Sequence, residues 1–180
     1  MTLFLDRDGV INKRIIDGYV CEWKEFVFEE GVLEALKILS KHFSPIIVVS
    51  NQQGIGKGLM SEEDFRHISE KMIEEVKFNG GMIDCVLHCP ALSKDNSFNR
   101  KPQVGMGLRA KKMYSDNVRF KESIMVGDSF PDMLFGKRLK MKTVFISDSY
   151  YLPRKYPKII DLRFDSLIKF AKYIENEKGI

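Results

Sequence analysis

The sequence predicts a doubly wound α/β fold, a parallel sheet with helices on both faces, formed by one domain of 180 residues. Three observations carry that prediction. Short apolar runs rich in β-branched residues recur along the chain, segments of helical periodicity separate them, and polar or acidic groups follow directly after several of the runs. Parallel strands need long crossover connections, which helices supply, so regular alternation of the two patterns points to a sheet covered on both sides. A chain of this length buries about two thirds of its unfolded surface, enough for one core.

Taken in order, the first strand is expected at 3–6, where Leu3-Phe4-Leu5 runs into Asp6. A helix over 32–42 follows, with apolar residues at 32, 33, 36 and 39, then a strand at 46–50. The next helix, 62–77, has a clear start: Ser61 is a natural N-cap and Asp64 lies three residues on, as in a capping box. A strand at 83–88, a helix at 104–114, a strand at 124–127, a helix at 133–139 and a strand at 143–146 continue the alternation. A last strand near 159–162 precedes an amphipathic helix at 165–176, apolar at 167, 168, 170, 171 and 174. Residues 13–28 and 90–102 lack periodicity and read as loops, each next to the carboxyl end of a strand, where such sheets bind ligands.

Composition excludes several classes. An apolar share of 44% and a charged share of 30% are those of a soluble globular protein. The net charge of +4 is too small and too dispersed to call for a nucleic-acid partner, though it suits an anionic small molecule. No apolar run approaches the roughly 18–20 residues that span a bilayer, so no membrane partner is expected. The run after Met1-Thr2 lacks the features of a secretory signal, and three cysteines without a Cys-x-x-Cys pair suit a reducing compartment, so a cytoplasmic location is expected. His42, His67 and His88 read as a helix end, an exposed helix face and a strand end, and the nine methionines as packing.

Polar groups fall after four of the strands: Asp6-Arg7-Asp8-Gly9, Ser50-Asn51, Arg100-Lys101 beyond the third, and Gly127-Asp128 with Asp132. In a doubly wound sheet these meet at one edge. A carboxylate there can attack phosphorus, and a second one two residues on can protonate the leaving oxygen and later activate water. Asp6 and Asp8 supply that pair, and Gly9 turns the chain so that both face one pocket. Carboxylates repel a phosphate monoester, so the chemistry calls for a hard cation such as Mg²⁺, with Asp128 as a further anchor. Ser50 and Lys101 would neutralise the transferring phosphoryl group. Asp132, after Pro131, could cap its helix or hold Lys101.

In their order and spacing these motifs resemble the haloacid dehalogenase superfamily across about residues 3–146. The match extends through Phe4 to Asn12, Gly18-Tyr19-Val20, Ser50 to Gly58 and Arg100-Lys101-Pro102, which resemble the branch holding heptose-bisphosphate phosphatases and histidinol-phosphatases. The resemblance implies a Rossmann-like domain with no large cap. It further implies magnesium held by Asp6, the Asp8 carbonyl and Asp128, substrate contacts from Asn51, Gln52 and Arg100, and closure by Asp17, Gly18 and Tyr19. Its implied substrate is D-glycero-D-manno-heptose 1,7-bisphosphate, losing the 7-phosphate, with Arg100 gripping the phosphate that stays.

Two departures from the branch are visible. Residues 90–99 carry no cysteine or histidine where zinc-bearing members place a Cys/His loop, so no zinc is expected, and Ser129 replaces a basic residue after the metal-binding aspartate. Two rivals remain: a histidinol-phosphate phosphatase, which an acidic specificity loop would favour, and a phospho-accepting receiver domain. Asp8 speaks against the latter, because an acid/base beside the nucleophile favours turnover over a long-lived acyl phosphate.

Overall fold

A computed structural model describes residues 1–147 and 151–177. Six strands form one all-parallel sheet: β1 (Leu3–Leu5), β2 (Ile46–Asn51), β3 (Cys85–Cys89), β4 (Ile124–Gly127), β5 (Lys142–Ile146) and β6 (Leu162–Phe164). Their spatial order is β3-β2-β1-β4-β5-β6. The chain winds outward from β1 in one direction to β3, then returns to β1's other side and winds out to β6. That reversal makes a crevice at the carboxyl ends of β1, β2 and β4, the place where doubly wound sheets bind ligands.

Period-two alternation within each strand builds the two halves of the core. Leu3 and Leu5 point to the same side as Ile46, Val48, Ile124 and Val126, while Phe4, Ile47, Val49 and Met125 point to the other. The first side is covered by α1 (Val32–Leu39), α3 (Glu62–Phe78) and α7 (Leu167–Asn176) through residues such as Leu36, Met72 and Phe170. The second is covered by α4 (Gly105–Tyr114) and α5 (Phe130–Arg138), with Met106, Ala110 and Phe135 against the sheet. Both faces of the central strands are therefore dry, and each reads in sequence as a continuous apolar run. Two short helices complete the set, α2 (Gln53–Gly56) and α6 (Tyr151–Lys155).

The expected elements are all present, with shifted ends. Ser61 and Asp64 form the reciprocal cap of α3, the Ser61 hydroxyl accepting from the Asp64 amide at 3.0 Å and Asp64 Oδ2 accepting from the Ser61 amide at 2.8 Å. β3 begins two residues later than expected because Asp84 uses its side chain as well as its backbone on Ile46, accepting from the Ile46 amide at 2.7 Å. β6 lies at 162–164 rather than 159–162, and residues 157–159 form a 3₁₀ turn. There the Thr143 hydroxyl donates to the Ile159 carbonyl at 2.8 Å and the Thr143 amide to Asp161 at 2.8 Å, so regular pairing starts only beyond Asp161. α5 starts at Phe130, three residues early, on a cap made by Ser129 and Asp132. α2 had no periodic signature, being a single turn.

Candidate active site

β1 delivers Asp6 to the crevice with its carboxylate 8% exposed, and the backbone then turns away at once. The amides of Val10, Ile11 and Asn12 all bond the Arg7 carbonyl, and the Gly9 amide bonds Asn12 O at 2.7 Å. Gly9 has φ +92°, in the left-handed region, and a methyl group there would run into the Asp128 carboxylate. The glycine thus serves two ends, a turn no other residue makes cheaply and the close approach of the β4 loop to the β1 loop.

Lys101 reaches Asp6 from the far loop. Its ammonium donates to Asp6 Oδ1 at 2.8 Å and to the Val49 carbonyl at 2.6 Å, and pairs with Asp132 Oδ1 at 2.6 Å. Asn51, at the end of β2, ties the Lys101 backbone from both sides, donating to its carbonyl at 3.0 Å and accepting from its amide at 2.9 Å. Asp132 is fixed in turn by Ser129, whose amide at 3.1 Å and hydroxyl both donate to Asp132 Oδ2. Asp132 therefore does both things its position allowed, capping α5 and holding Lys101. Burial works against the lysine's charge, but Asp132 and Asp6 outweigh it and keep its pKa above the usual value.

The acids are crowded. Burial, with Asp132 beside it, pushes Asp6 up to about 6 although Lys101 pulls it back. Burial, followed by Asp6 and Asp132, pushes Asp128 up to about 8. Asp8 behaves in the opposite way. Its carboxylate is only partly buried, and although desolvation opposes its charge, Arg7 donates to both oxygens at 3.1 and 2.9 Å, Asn12 adds 3.0 Å and Gln52 2.8 Å, and together they hold its pKa below the usual range. Arg7 is itself 1% exposed and lies between the rings of Phe26 and Phe65, 6.0 and 5.5 Å from their centroids. Neither the buried Arg7 nor Asn12 carries a signal in sequence, since an arginine beside two acids usually faces water.

Asp6, Arg7, Asp8, Lys101 and Asp132 line a cavity of about 560 Å³, whereas Asp128 lines a second cavity that shares Arg14 with it. Ser50, Asn51, Gln52, Asp17, Gly18, Tyr19, Arg100 and Lys101 all line the first cavity together with Asp6 and Asp8. Gln52 is 1% exposed and its amide nitrogen bridges Asp8 Oδ2 and Ser50 Oγ at 2.8 and 2.7 Å, so it couples the two side chains. Tyr19 is laid against Gly54 of α2, its hydroxyl accepting from Gln53 at 2.8 Å, with Lys57 Nζ 5.1 Å above its ring. Arg100 spends one guanidinium nitrogen on Ala91 O at 3.0 Å. Arg14 was not among the expected site residues. Its Nη2 lies 2.9 Å from Asp128 Oδ1, 3.1 Å from the Asp8 carbonyl and 4.0 Å from Asp6 Oδ2.

The donor set fits a hard divalent cation. Asp6, Asp128 and Asp132 each present an oxygen within 4.8 Å of the others. Asp132 is committed to Lys101 and Ser129, and Asp6 Oδ1 to Lys101 and the Arg7 amide, which leaves Asp6 Oδ2, the Asp8 carbonyl and Asp128. All are oxygens, and a positive group, Arg14, is already drawn to them.

Comparison with known proteins gives the family. Residues 7–166 match the model described as polynucleotide kinase 3 phosphatase. The chain is 33% identical over 177 residues to the D-glycero-alpha-D-manno-heptose-1,7-bisphosphate 7-phosphatase of Mycobacterium bovis, covering 98% of this chain and 93% of that one. It belongs to the haloacid dehalogenase phosphatases, in their heptose-bisphosphate branch. The Pasteurella multocida relative of this phosphatase, a beta-anomer 7-phosphatase by name, is 34% identical, with 98% of each chain covered. The fold agrees: a D,D-heptose 1,7-bisphosphate phosphatase from B. bronchiseptica, solved with magnesium and phosphate, superposes with a TM-score of 0.88 at 24% identity, covering 98% of both chains. Among the described residues no helix of the phosphatase is long and apolar enough to cross a membrane.

Proposed function

We propose that the enzyme removes the 7-phosphate of D-glycero-D-manno-heptose 1,7-bisphosphate through a phosphoryl group carried on Asp6. The observation that carries the chemistry is the buried Asp6–Lys101–Asp132 chain, which presents one ionised, oriented carboxylate to the cavity beside Ser50. One oxygen of the Asp6 carboxylate attacks phosphorus while the bond to the sugar oxygen breaks, and Lys101 and Ser50 offset charge on the transferring oxygens. Asp6, the Asp8 carbonyl and Asp128 would hold Mg²⁺, which would supply positive charge against the anionic substrate.

Asp8 gives its proton to the departing sugar oxygen, then takes one from the water that cleaves the acyl phosphate, so phosphate leaves and Asp6 is restored. Its low pKa suits the second step as it stands. For the first, a phosphate dianion brought beside it raises its proton affinity by like-charge repulsion. Gln52 keeps Asp8 aligned with Ser50 throughout.

Support for a bisphosphate comes from the cavity lining, where Arg100 and Lys57 add positive charge to that of Lys101. Two phosphates on one sugar need cations at both ends, and a guanidinium suits the one that stays. The relatives' names support the heptose. The test is kcat/KM in Mg²⁺ for both heptose 1,7-bisphosphate anomers, fructose 1,6-bisphosphate, histidinol phosphate, sugar monophosphates and a 3′-phosphorylated oligonucleotide. A heptose bisphosphate is expected to lead by at least two decades. A lead for histidinol phosphate or the oligonucleotide would overturn the assignment.

A further inference from the structure

We infer that Arg14 is a tethered counter-cation that competes with Mg²⁺ for the oxygens of the metal site and has to withdraw as the ion enters. The inference rests on the metal-site reading above. Its Nη2 sits within hydrogen-bond distance of Asp128 Oδ1 and the Asp8 carbonyl, and 4.0 Å from Asp6 Oδ2. Those are the oxygens that remain free for a cation once Lys101, Ser129 and the backbone have taken theirs. A guanidinium and a divalent ion compete for these oxygens, because two positive groups in contact repel.

The surroundings suit exchange. The Arg14 side chain is 49% exposed, whereas Lys101 in the same cluster is 2% exposed, so one cation is built in and the other can withdraw into water. Arg14 stands in an irregular segment, with Ile15 38% and Ile16 88% exposed, so little packing resists a swing. It also separates two cavities. On one side lies the substrate cavity with Tyr19 and Arg100; on the other a cavity of about 600 Å³ opens past Asp128 to Glu29, Glu30 and Asp165. A withdrawn Arg14 clears the contact between Asp128 and Asp6 that a bound cation must bridge.

An ordinary surface ion pair would stabilise the protein equally with or without metal. A displaceable one stabilises only the metal-free form and opposes loading, and that difference is measurable without turnover. Mg²⁺ is titrated calorimetrically into substrate-free wild type, Arg14→Gln and Arg14→Lys, and melting temperatures are taken in EDTA and in saturating Mg²⁺, with far-UV circular dichroism as the check on folding. Arg14→Gln is expected to bind Mg²⁺ roughly tenfold tighter, equivalent to about 1.4 kcal/mol. In EDTA it should melt about 3–5 °C lower, and in saturating Mg²⁺ at the wild-type temperature. Arg14→Lys, which keeps the charge, should fall between them in affinity. Equal or weaker Mg²⁺ binding by Arg14→Gln overturns the inference while leaving the metal site standing. Absence of Mg²⁺ binding in all three proteins overturns both.

Discussion

Replacing Lys101 by methionine keeps the volume of the side chain and removes its charge, and the structure sets the size of the response. The ammonium is enclosed by Asp6 at 2.8 Å, Asp132 at 2.6 Å and the Val49 carbonyl at 2.6 Å. Without it, two buried carboxylates face each other with oxygens within 4.8 Å, and at an effective dielectric of about 20 unit charges at that separation repel by about 3.5 kcal/mol. Breaking a buried ion pair from one side generally costs about 3–5 kcal/mol, which agrees. Lys101→Met should therefore lose about 3–5 kcal/mol at pH 8 in EDTA, read from urea unfolding. The loss should shrink towards pH 6, because Asp6, already raised to about 6, takes up a proton and silences one of the charges. Adding Asp132→Asn should restore about 1–3 kcal/mol, since it removes the repulsion that the first change exposed. A Lys101→Met protein within 1 kcal/mol of wild type at pH 8, or a double variant less stable than the single, would refute the idea that this lysine neutralises the cluster.

Other consequences follow from the same geometry. Gln52→Leu unhooks Asp8 from Ser50 while leaving the cavity rim intact, so kcat should fall about 10–100-fold with KM changed less than threefold, measured by phosphate release. Gly9→Ala meets both a positive φ and the Asp128 carboxylate, so it should lower Mg²⁺ affinity and cost about 1–3 kcal/mol of stability; a wild-type melting curve would contradict this. Burial and the neighbouring acids push Asp128 up to about 8 and Asp6 up to about 6, above the ordinary aspartate range. The folded state then holds protons that the unfolded chain has already released, so between about pH 4 and 8 stability should fall as pH rises. Mg²⁺ should bind more tightly at higher pH and flatten that slope. Melting temperatures in EDTA at pH 5.5 and 8.5 check the sign, and an EDTA profile that rises with pH contradicts it.

How much of this was legible in the sequence depends on whether a residue's role is local. The strands announced themselves because β1, β2 and β4 are apolar on both faces, and Ser61-Asp64 announced α3 because a cap is made by neighbours in the chain. Asp6, Asp8 and Asp128 could be singled out from their places after strands, and Gly9 from the turn it must make. Lys101 could be suspected, but its burial could not, because that depends on Asn51 clamping its backbone across 50 residues of sequence. Arg7 was invisible for the same reason: Phe26 and Phe65, which enclose it, come from a loop and a helix far along the chain. The shift of β6 was hidden because Thr143 and Asp161, 18 residues apart, decide where pairing begins. Arg14 lies in a segment without periodicity, so its contact with Asp128, 114 residues away, could be found only in three dimensions.

The central claim is that phosphate passes through Asp6. Rapid mixing of the Mg²⁺-loaded enzyme with heptose 1,7-bisphosphate, acid quenching within the first turnover and peptide mass spectrometry test it directly, since the acyl phosphate forms before water cleaves it. A mass increase of one phosphoryl group, about 80 Da, on the peptide holding Asp6, which disappears in Asp6→Asn together with all turnover, is the predicted result. Turnover that persists in Asp6→Asn, or a phosphoryl group that resides on another residue, would contradict it.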